Sequence, residues 1–125
     1  MKIIILGGGS IGGSVATELS TEDNDIVVID NNEANLEPLK SKEGIKTVLG
    51  NATSPNTLSK SNLDENSLLL CLTDSEEINL LASIVAHAKF DVKKIICRLK
   101  GSEYKKIAEK IASHVDFFIN PEDLI

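Results

Sequence analysis

The chain has 125 residues, of which 42% are apolar and 26% are charged, and its net charge at pH 7 is −6. This length fits one domain with a sizeable core, and no apolar run approaches the roughly 20 residues of a membrane-spanning helix. Because phosphate contacts dominate nucleic-acid affinity, an acidic chain with a single arginine is not expected to bind nucleic acid. Cys71 and Cys97 both lie in apolar runs, which is typical of buried free thiols in a reducing compartment.

Six short runs rich in isoleucine, valine and leucine alternate with helical patterns along the chain. The apolar residues in these runs are continuous rather than alternating, as in strands buried on both faces of a parallel sheet. The runs occupy residues 2–6, 26–29, 46–49, 67–73, 94–97 and 116–119. The order predicts an α/β domain of the Rossmann type, with a doubly wound, parallel, six-stranded sheet.

The first three helical patterns differ in strength. The first is indicated by apolar residues at spacings of four, namely Ile11, Val15 and Leu19. Pro38 predicts that a second helix, over residues 33–42, starts late or bends, because proline is tolerated only in a first turn. Pro55 predicts a short helical turn between the third and fourth strands.

The helix predicted over residues 76–88 has an unusually wide apolar face, with Thr73 or Asp74 as its cap. Four residues suffice to cover the sheet, namely Leu81, Ile84, Val85 and Ala88. Three more widen the face and predict a contact with a second copy of the chain, namely Ile78, Leu80 and Ala82. A last helix is predicted from a full apolar stripe, which consists of Tyr104, Ile107, Ala108, Ile111 and Ala112.

A glycine-rich loop links the first strand to the first helix and fits the pattern G-x-G-x-x-G. It consists of Gly7, Gly8, Gly9, Ser10, Ile11 and Gly12. In such a loop Gly7 permits the tight turn, Gly9 lets the backbone approach a pyrophosphate, and Gly12 lets the helix pack against the strand. The helix N-terminus then offers free N–H groups to phosphates. The alternative is a tight turn with no ligand.

Polar residues follow the next two strands. Asp30 ends the second strand 18 residues after Gly12 and is placed to accept hydrogen bonds from a ribose 2′-hydroxyl, which favours NAD(H) over NADP(H). The alternative for Asp30 is a turn or cap aspartate. Asn51 follows the third strand and is a candidate for the adenine side, with an ordinary turn before Pro55 as the alternative.

Three further candidates follow the fourth and fifth strands. Thr73 and Asp74 lie at the predicted crevice, where a capping role and a cofactor contact can coexist. Arg98 is a natural phosphate partner, with a surface ion pair as the alternative. His87 and His114 are explained by helix C-termini, and no metal site is predicted. No nucleophile and base can be paired, so an enzyme is not expected.

The end of the chain reads as the start of another helix, with Asn120 as its cap and Pro121 as its first residue. This pattern predicts that residues 1–125 are a nucleotide-binding N-terminal domain and a fragment of a longer chain.

The ordered set of motifs resembles the N-terminal domain family of Trk potassium-uptake regulatory subunits, within the wider group of RCK domains. The resemblance runs the whole length and rests on the glycine loop, Asp30, residues 50–53, Thr73–Asp74 with Glu77 and Asn79, Arg98, residues 102–104 and residues 119–122. Two positions depart from the family pattern. Asn51 replaces a frequent aspartate, and Ser10 stands where some ATP-binding relatives carry arginine.

The resemblance implies a cytoplasmic, non-enzymatic regulator that is peripheral on the inner face of the cell membrane. It implies NAD(H) as the ligand, with ATP or ADP as alternatives at the same site. It also implies a Trk-type potassium-translocating membrane partner and a homo-oligomer, either a dimer or a larger ring when full length. Two other interpretations remain open: the cofactor half of an NAD-dependent dehydrogenase, and an assembly module whose pocket has lost its ligand.

Overall fold

The computed structural model describes residues 1–101 and 103–121, which contain one six-stranded parallel sheet. The strand order is β3-β2-β1-β4-β5-β6. From β1 the chain adds β2 and β3 on one side of the sheet and then β4, β5 and β6 on the other, so the order switches between β1 and β4. The strands are β1 Lys2–Leu6, β2 Asp25–Asp30, β3 Ile45–Leu49, β4 Leu68–Cys71, β5 Lys94–Arg98 and β6 Phe117–Ile119. The predicted Rossmann-type fold is confirmed.

The helices cover the two faces of the sheet and create two separate clusters of buried apolar residues. They are α1 Ser10–Ser20, α2 Glu33–Leu36, α3 Pro55–Lys60, α4 Glu76–Phe90 and α5 Lys105–Ile111. Ala16 of α1 and Leu36 of α2 pack on one face, whereas Leu58 of α3, Ala82 of α4 and Ala112 after α5 pack on the other. No helix in the described part of the chain is long and apolar enough to cross a membrane.

The second helix differs from its prediction. It begins at the predicted residue, Glu33, with the Asn32 side chain as its N-cap, and continues as a 3-10 turn over Glu37–Leu39. Pro38 lies in the first turn of that 3-10 segment, where its missing N–H costs no hydrogen bond.

The predicted packing face of α4 is wrong. Its fully buried residues are Asn79, Ala82, Ser83 and Ala86. Leu81 and Ile84 are 51% and 38% exposed, and Ala88 is exposed as well. Ile78, Leu80 and Val85 are half-buried against the core. Small side chains let the helix axis come close to the sheet, so the alanine and serine positions face inward and the large residues are displaced to the flanks.

The stripe of α5 is also only partly buried. Ala108 and Ala112 are buried, whereas Tyr104, Ile107 and Ile111 are 49%, 56% and 62% exposed. The edge strand β6, which follows α5, has only three residues, and only the small residues of the stripe are covered. The helix predicted after Pro121 lies outside the described residues.

Candidate functional site

A cavity of about 390 Å³ opens at the carboxyl ends of β1, β2, β4 and β5. It is lined by nine of the residues predicted from sequence, namely Gly7, Gly9, Ser10, Ile11, Asp30, Asn51, Thr73, Asp74 and Arg98. Gly8 and Gly12 are not part of this lining: Gly8 N donates to Asp30, and Gly12 packs against the carbonyl oxygen of Gly7. The lining also includes residues that were not predicted to contact a ligand, among them Asn31, Asn35, Ser75 and Ile78.

The glycine loop is shaped by close backbone contacts. Gly7 has a φ of +104°, and a Cβ there would lie 3.0 Å from Thr73 Cα. A Cβ on Gly12 would lie 1.8 Å from the carbonyl oxygen of Gly7, so only glycine fits. A Cβ on Gly9 would instead meet nothing within 4 Å, because Gly9 borders the open cavity. The loop is therefore closely packed against the backbone at Gly7 and Gly12 and open toward the cavity at Gly9.

The first turn of α1 faces this open space. Its N-cap, Gly9, makes no side-chain hydrogen bond, and the turn contains no acidic residue. The first N–H groups of a helix have no partner within the helix and carry the positive end of its dipole. The arrangement therefore suits an anionic group in front of Gly9.

Asp30 holds the loop in place. Its Oδ2 accepts hydrogen bonds from Gly8 N at 2.7 Å and Asn35 Nδ2 at 3.2 Å, and its Oδ1 accepts one from Asn32 N at 2.8 Å. The alternative of a turn aspartate is thus partly correct. A carboxylate has about four acceptor positions, so one remains for a ligand hydroxyl.

Asn51 is likewise engaged in its own turn. Its Oδ1 accepts hydrogen bonds from Thr53 N at 2.9 Å and from Thr53 Oγ1 at 2.8 Å. These bonds leave the amide nitrogen of Asn51 as the group available at the cavity wall.

The opposite wall of the cavity is formed by the start of α4. The N-cap is Ser75, whose Oγ accepts a hydrogen bond from Ile78 N at 3.2 Å, so the predicted caps Thr73 and Asp74 are wrong. The Thr73 hydroxyl is engaged elsewhere, since it lies 2.7 Å from Asn79 Oδ1. Asp74 extends into solvent with 92% of its side chain exposed.

Asn79 joins three elements at this wall and is only 1% exposed. Its Oδ1 accepts a hydrogen bond from Thr73 N at 3.0 Å, and its Nδ2 donates to Thr73 O at 3.1 Å and to Arg98 O at 2.9 Å. It therefore fixes the ends of β4 and β5 relative to α4. The sequence signal for this role was a polar residue on the buried face of an otherwise apolar helix.

Arg98 lies beneath the cavity wall and is only 8% exposed. Its Nη1 donates to Asp74 Oδ1 at 3.1 Å and lies 3.4 Å from Thr73 O. Its Nε, among the described residues, has no hydrogen-bond partner. The ion pair of Arg98 with Asp74 therefore joins a buried guanidinium to an exposed carboxylate, and it is not the surface ion pair of the alternative interpretation. Arg98 is part of the cavity lining, so its guanidinium offers a charged donor to an anionic ligand.

The two histidines lie far from this cavity and contact each other. Their rings stack with centroids 4.7 Å apart and an angle of 12° between planes, and His114 Nε2 lies 3.2 Å from Ser83 Oγ. Partial burial lowers the pKa of His114, and the neighbouring His87 lowers it further. His114 lies beyond the end of α5, so the helix-terminus explanation is wrong for it. The pairing is a tertiary contact with no local sequence signal.

The chain was compared with protein families and with curated relatives. The model of the TrkA-N domain family matches residues 3–121. A Trk system potassium uptake protein TrkA from Haemophilus influenzae is 35% identical over 129 aligned positions, and one from Vibrio alginolyticus is 37% identical over 131. Each alignment covers 100% of this chain and 28% of the relative, so the chain spans little more than a quarter of those proteins. Both relatives are named as potassium uptake proteins, and neither name describes an enzyme.

Solved structures share the fold. The TrkA-N domain of the inner membrane protein ybaL from Escherichia coli has a TM-score of 0.84 at 20% identity, covering 98% of this chain and 89% of its own. The GsuK channel bound to NAD has a TM-score of 0.78 at 18% identity, covering 94% of this chain and 21% of its own. The resemblance predicted from the motifs is thus confirmed, and the chain belongs to the TrkA-N domain family.

Proposed function

We propose that this chain is a nucleotide-sensing regulatory domain that binds NAD(H) in the cavity described above and acts within a Trk-type potassium uptake system. The observation that carries the proposal is the cavity, whose lining brings together the uncapped first turn of α1, Asp30 and Arg98. A helix N-terminus and a guanidinium both favour phosphate groups, and a carboxylate favours a ribose hydroxyl.

The spacing of the site residues favours a dinucleotide over a mononucleotide. Asp30 ends β2, the glycine loop follows β1, and Arg98 ends β5, two strands beyond β1. Neighbouring strands are about 4.8 Å apart, which places the Arg98 backbone roughly 10 Å from the glycine loop, and its guanidinium extends back toward Thr73. A ribose at Asp30 and a pyrophosphate at Gly9 leave the nicotinamide half to reach Arg98, whereas ADP ends near the loop. ATP and ADP are therefore the weaker alternatives.

The surroundings of Asp30 favour NAD(H) over NADP(H). Asp30 and the residues after it, Asn31 and Asn32, bring no positive charge to the ribose side. The nearest lysine along the chain, Lys40, is paired with Glu33 and Glu37. A 2′-phosphate would thus meet a carboxylate without a compensating cation.

Calorimetric titration of the chain with NADH, NAD⁺, NADPH, ATP and ADP tests the proposal. We expect the dinucleotides without a 2′-phosphate to bind most tightly, and Arg98→Met to weaken them by about 1.5–3 kcal/mol, the range for a hydrogen bond to a charged group. Lys100→Met is the matched control, because it removes an exposed positive charge two residues away. No binding of any nucleotide, or equal losses in both variants, contradicts the proposal.

A dehydrogenase half would share this fold and ligand, and turnover distinguishes the two. We expect no NADH oxidation with small aldehydes or ketones, because the cavity lining of the described residues includes no histidine, lysine, cysteine or tyrosine that could act as acid or base. Turnover proportional to protein concentration would favour the dehydrogenase.

The proposal extends to assembly: copies of the chain associate through exposed apolar residues on α4 and α5, and the assembly acts at the inner membrane face on a potassium-translocating subunit. The exposed apolar side chains are Leu81, Ile84, Tyr104, Ile107 and Ile111. Exposed apolar patches of this kind mark contact surfaces. The same helix α4 forms the cavity wall, so a bound nucleotide can bias the contact only if it binds two arrangements of α4 with different affinity.

Sedimentation of Leu81→Glu tests this contact. We expect a shift toward monomer with an unchanged circular dichroism spectrum, because the Leu81 side chain is 51% exposed and tolerates a charge in the free domain. Ser59→Glu, at an exposed position of α3, is the control for added charge. An unchanged mass for Leu81→Glu would remove α4 from the interface.

A further inference from the structure

Two cysteines form a buried pair beneath the candidate site. Cys71 of β4 and Cys97 of β5 are partners in the parallel register, both side chains are 0% exposed, and both belong to the same core cluster. Both are free thiols. Residues that are opposite each other on neighbouring strands and point into the same layer have side chains in contact, so these thiols form one unit.

The spacing of this pair suits a disulfide. Neighbouring strands are about 4.8 Å apart, and the Cα atoms of disulfide-bonded cysteines are usually about 4.4–6.8 Å apart. Hydrogen bonding between the two thiols raises the pKa of Cys71 and lowers the pKa of Cys97. Cys97 is therefore the thiol of the pair that loses its proton first, and a thiolate is the nucleophilic form.

We propose that Cys71 and Cys97 form a redox-active dithiol that hydrogen peroxide, or another small hydroperoxide, closes to a disulfide. The thiolate of Cys97 attacks one peroxide oxygen, the O–O bond breaks, and the leaving hydroxide takes up a proton to form water. The Cys71 sulfur then attacks the sulfenic acid on Cys97, which forms the S–S bond and breaks the S–O bond. The second hydroxide leaves as water with the Cys71 proton. The two thiols together lose two electrons, and hydrogen peroxide is reduced to two waters, or another hydroperoxide to an alcohol and one water.

The burial of both sulfurs determines which oxidants can act. A bulky disulfide such as oxidised glutathione cannot reach side chains that are 0% exposed, whereas a peroxide can enter during local opening of the strand ends. Disulfides need Cβ atoms about 3.5–4.5 Å apart, which is closer than the roughly 4.8 Å between neighbouring strands. Closing the bond therefore strains β4 and β5 at this position, and such strain makes a disulfide easier to reduce. The oxidised form is therefore expected to be reversible.

The dithiol is connected to the cavity through Asn79. The Cys97 thiol donates to the backbone carbonyl of Asn79 at 3.5 Å, and the Asn79 side chain holds Thr73 and Arg98. Cys97 directly precedes Arg98, and Cys71 lies two residues before Thr73. Forming the S–S bond removes the thiol donor and shifts both strand ends, so oxidation changes nucleotide affinity. This second step rests on the proposed function.

Mass spectrometry of the folded chain after peroxide treatment tests the first step. We expect the chain to lose the mass of two hydrogen atoms and to regain them with dithiothreitol, and trypsin to release residues 61–89 linked to residues 95–98. The single variants Cys71→Ala and Cys97→Ala are matched controls and should not show this loss. A wild-type chain that keeps both thiols, gains oxygen atoms on Cys71 or Cys97, or forms only disulfide-linked dimers contradicts the proposal. None of these outcomes depends on a nucleotide or on a variant that folds.

The second step is tested by titrating NADH into the reduced and oxidised chains. We expect oxidation to change the affinity by about fivefold or more, the lower range for coupled sites, with Cys97→Ala unaffected by peroxide. Equal affinities in a fully oxidised sample would limit the dithiol to a redox site without influence on the cavity. Absence of NADH binding in the reduced chain would instead contradict the proposed function and leave the mass result standing.

Discussion

The first turns of α1 and α4 both face the cavity, but a side chain caps the N–H groups of α4 and none caps those of α1. At α1 the cap is Gly9, with no side-chain hydrogen bond and no acidic residue in the turn. At α4 the Ser75 hydroxyl accepts from Ile78 N, and Glu76 and Glu77 lie in the first turn. The helix α4 uses its positive end within the fold, whereas α1 leaves its own available for an anion.

The remainder of α4 continues this difference. The helix is fixed near its start by Asn79, and its last turn is tied to the segment after α5 by the stacked His87 and His114 rings. The Glu76 side chain also accepts hydrogen bonds from Lys100 N and Gly101 N, at 2.6 and 2.9 Å. We infer that α4 is a preformed wall and that the loop before α1 is the part completed by a ligand.

The largest effect is expected at Gly12. In Gly12→Ala the new Cβ would lie 1.8 Å from the Gly7 carbonyl oxygen, so α1 must move away from the strand. We expect the free energy of unfolding to fall by about 3 kcal/mol, the upper range for an overpacked site. Urea unfolding followed by circular dichroism measures it.

Gly9→Ala is the matched control within the same loop. Its Cβ would meet nothing within 4 Å, so we expect the stability to change by less than about 1 kcal/mol. Nucleotide affinity should nevertheless fall, because the methyl group enters the space for the phosphates. Equal stability losses in the two variants would show that the loop is not open in front of α1.

A second prediction concerns the wall formed by α4. Asn79→Leu keeps the volume of the side chain but leaves Thr73 N, Thr73 O and Arg98 O without their partner. We expect a loss of about 2–3 kcal/mol in the free energy of unfolding, because buried polar groups become unpaired. Asn35→Ala, which removes one hydrogen bond to Asp30, should cost about 1 kcal/mol or less. A fully stable Asn79→Leu would show that the wall does not depend on this residue.

Asp30 tests the α1 side of the comparison. We expect Asp30→Ala to weaken NADH binding by about 1–3 kcal/mol, because it removes a charged acceptor, and to reduce discrimination against NADPH. Asp30→Asn retains the shape and one acceptor oxygen, so its NADH affinity should lie between those of the wild-type chain and Asp30→Ala. Calorimetry that finds unchanged affinity for both dinucleotides would leave Asp30 with only its turn contacts.

The smallest effect is expected at the far end of α4 and depends on pH. The pKa of His114 is lowered in the folded chain, so the unfolded chain binds more protons near the usual histidine pKa of about 6.5. Stability is therefore highest above that pH and falls as the pH drops through the unfolded value toward the folded one. His114→Gln should flatten urea midpoints measured between about pH 7 and pH 5. An unchanged slope would exclude His114 as the cause.

The order of strands and helices was predictable because it depends on local patterns. Continuous apolar runs predicted every strand end to within two residues. The glycine pattern between β1 and α1 predicted where the cavity lies. Asp30, Thr73 and Arg98 were found because parallel strands in one sheet end at a common edge. Their roles toward a ligand remain predictions.

What the sequence could not decide was which residues face one another. Periodicity assigned Leu81 and Ile84 of α4 to the core, but the sheet admits the smaller Ala82 and Ala86. It left Asn79 without a role, because the role exists only where the ends of β4 and β5 meet α4.

Local chemistry by itself determined where strands begin, where glycine is required and which positions carry charge, because those depend on neighbouring residues alone. The tertiary structure decided the burial of Arg98, the pairing of Cys71 with Cys97 and the stacking of His87 on His114. The two pairs join residues that are at least 25 positions apart. The burial of Arg98 is imposed by other elements of the fold. Such contacts depend on helix distance and strand register, which no local pattern encodes.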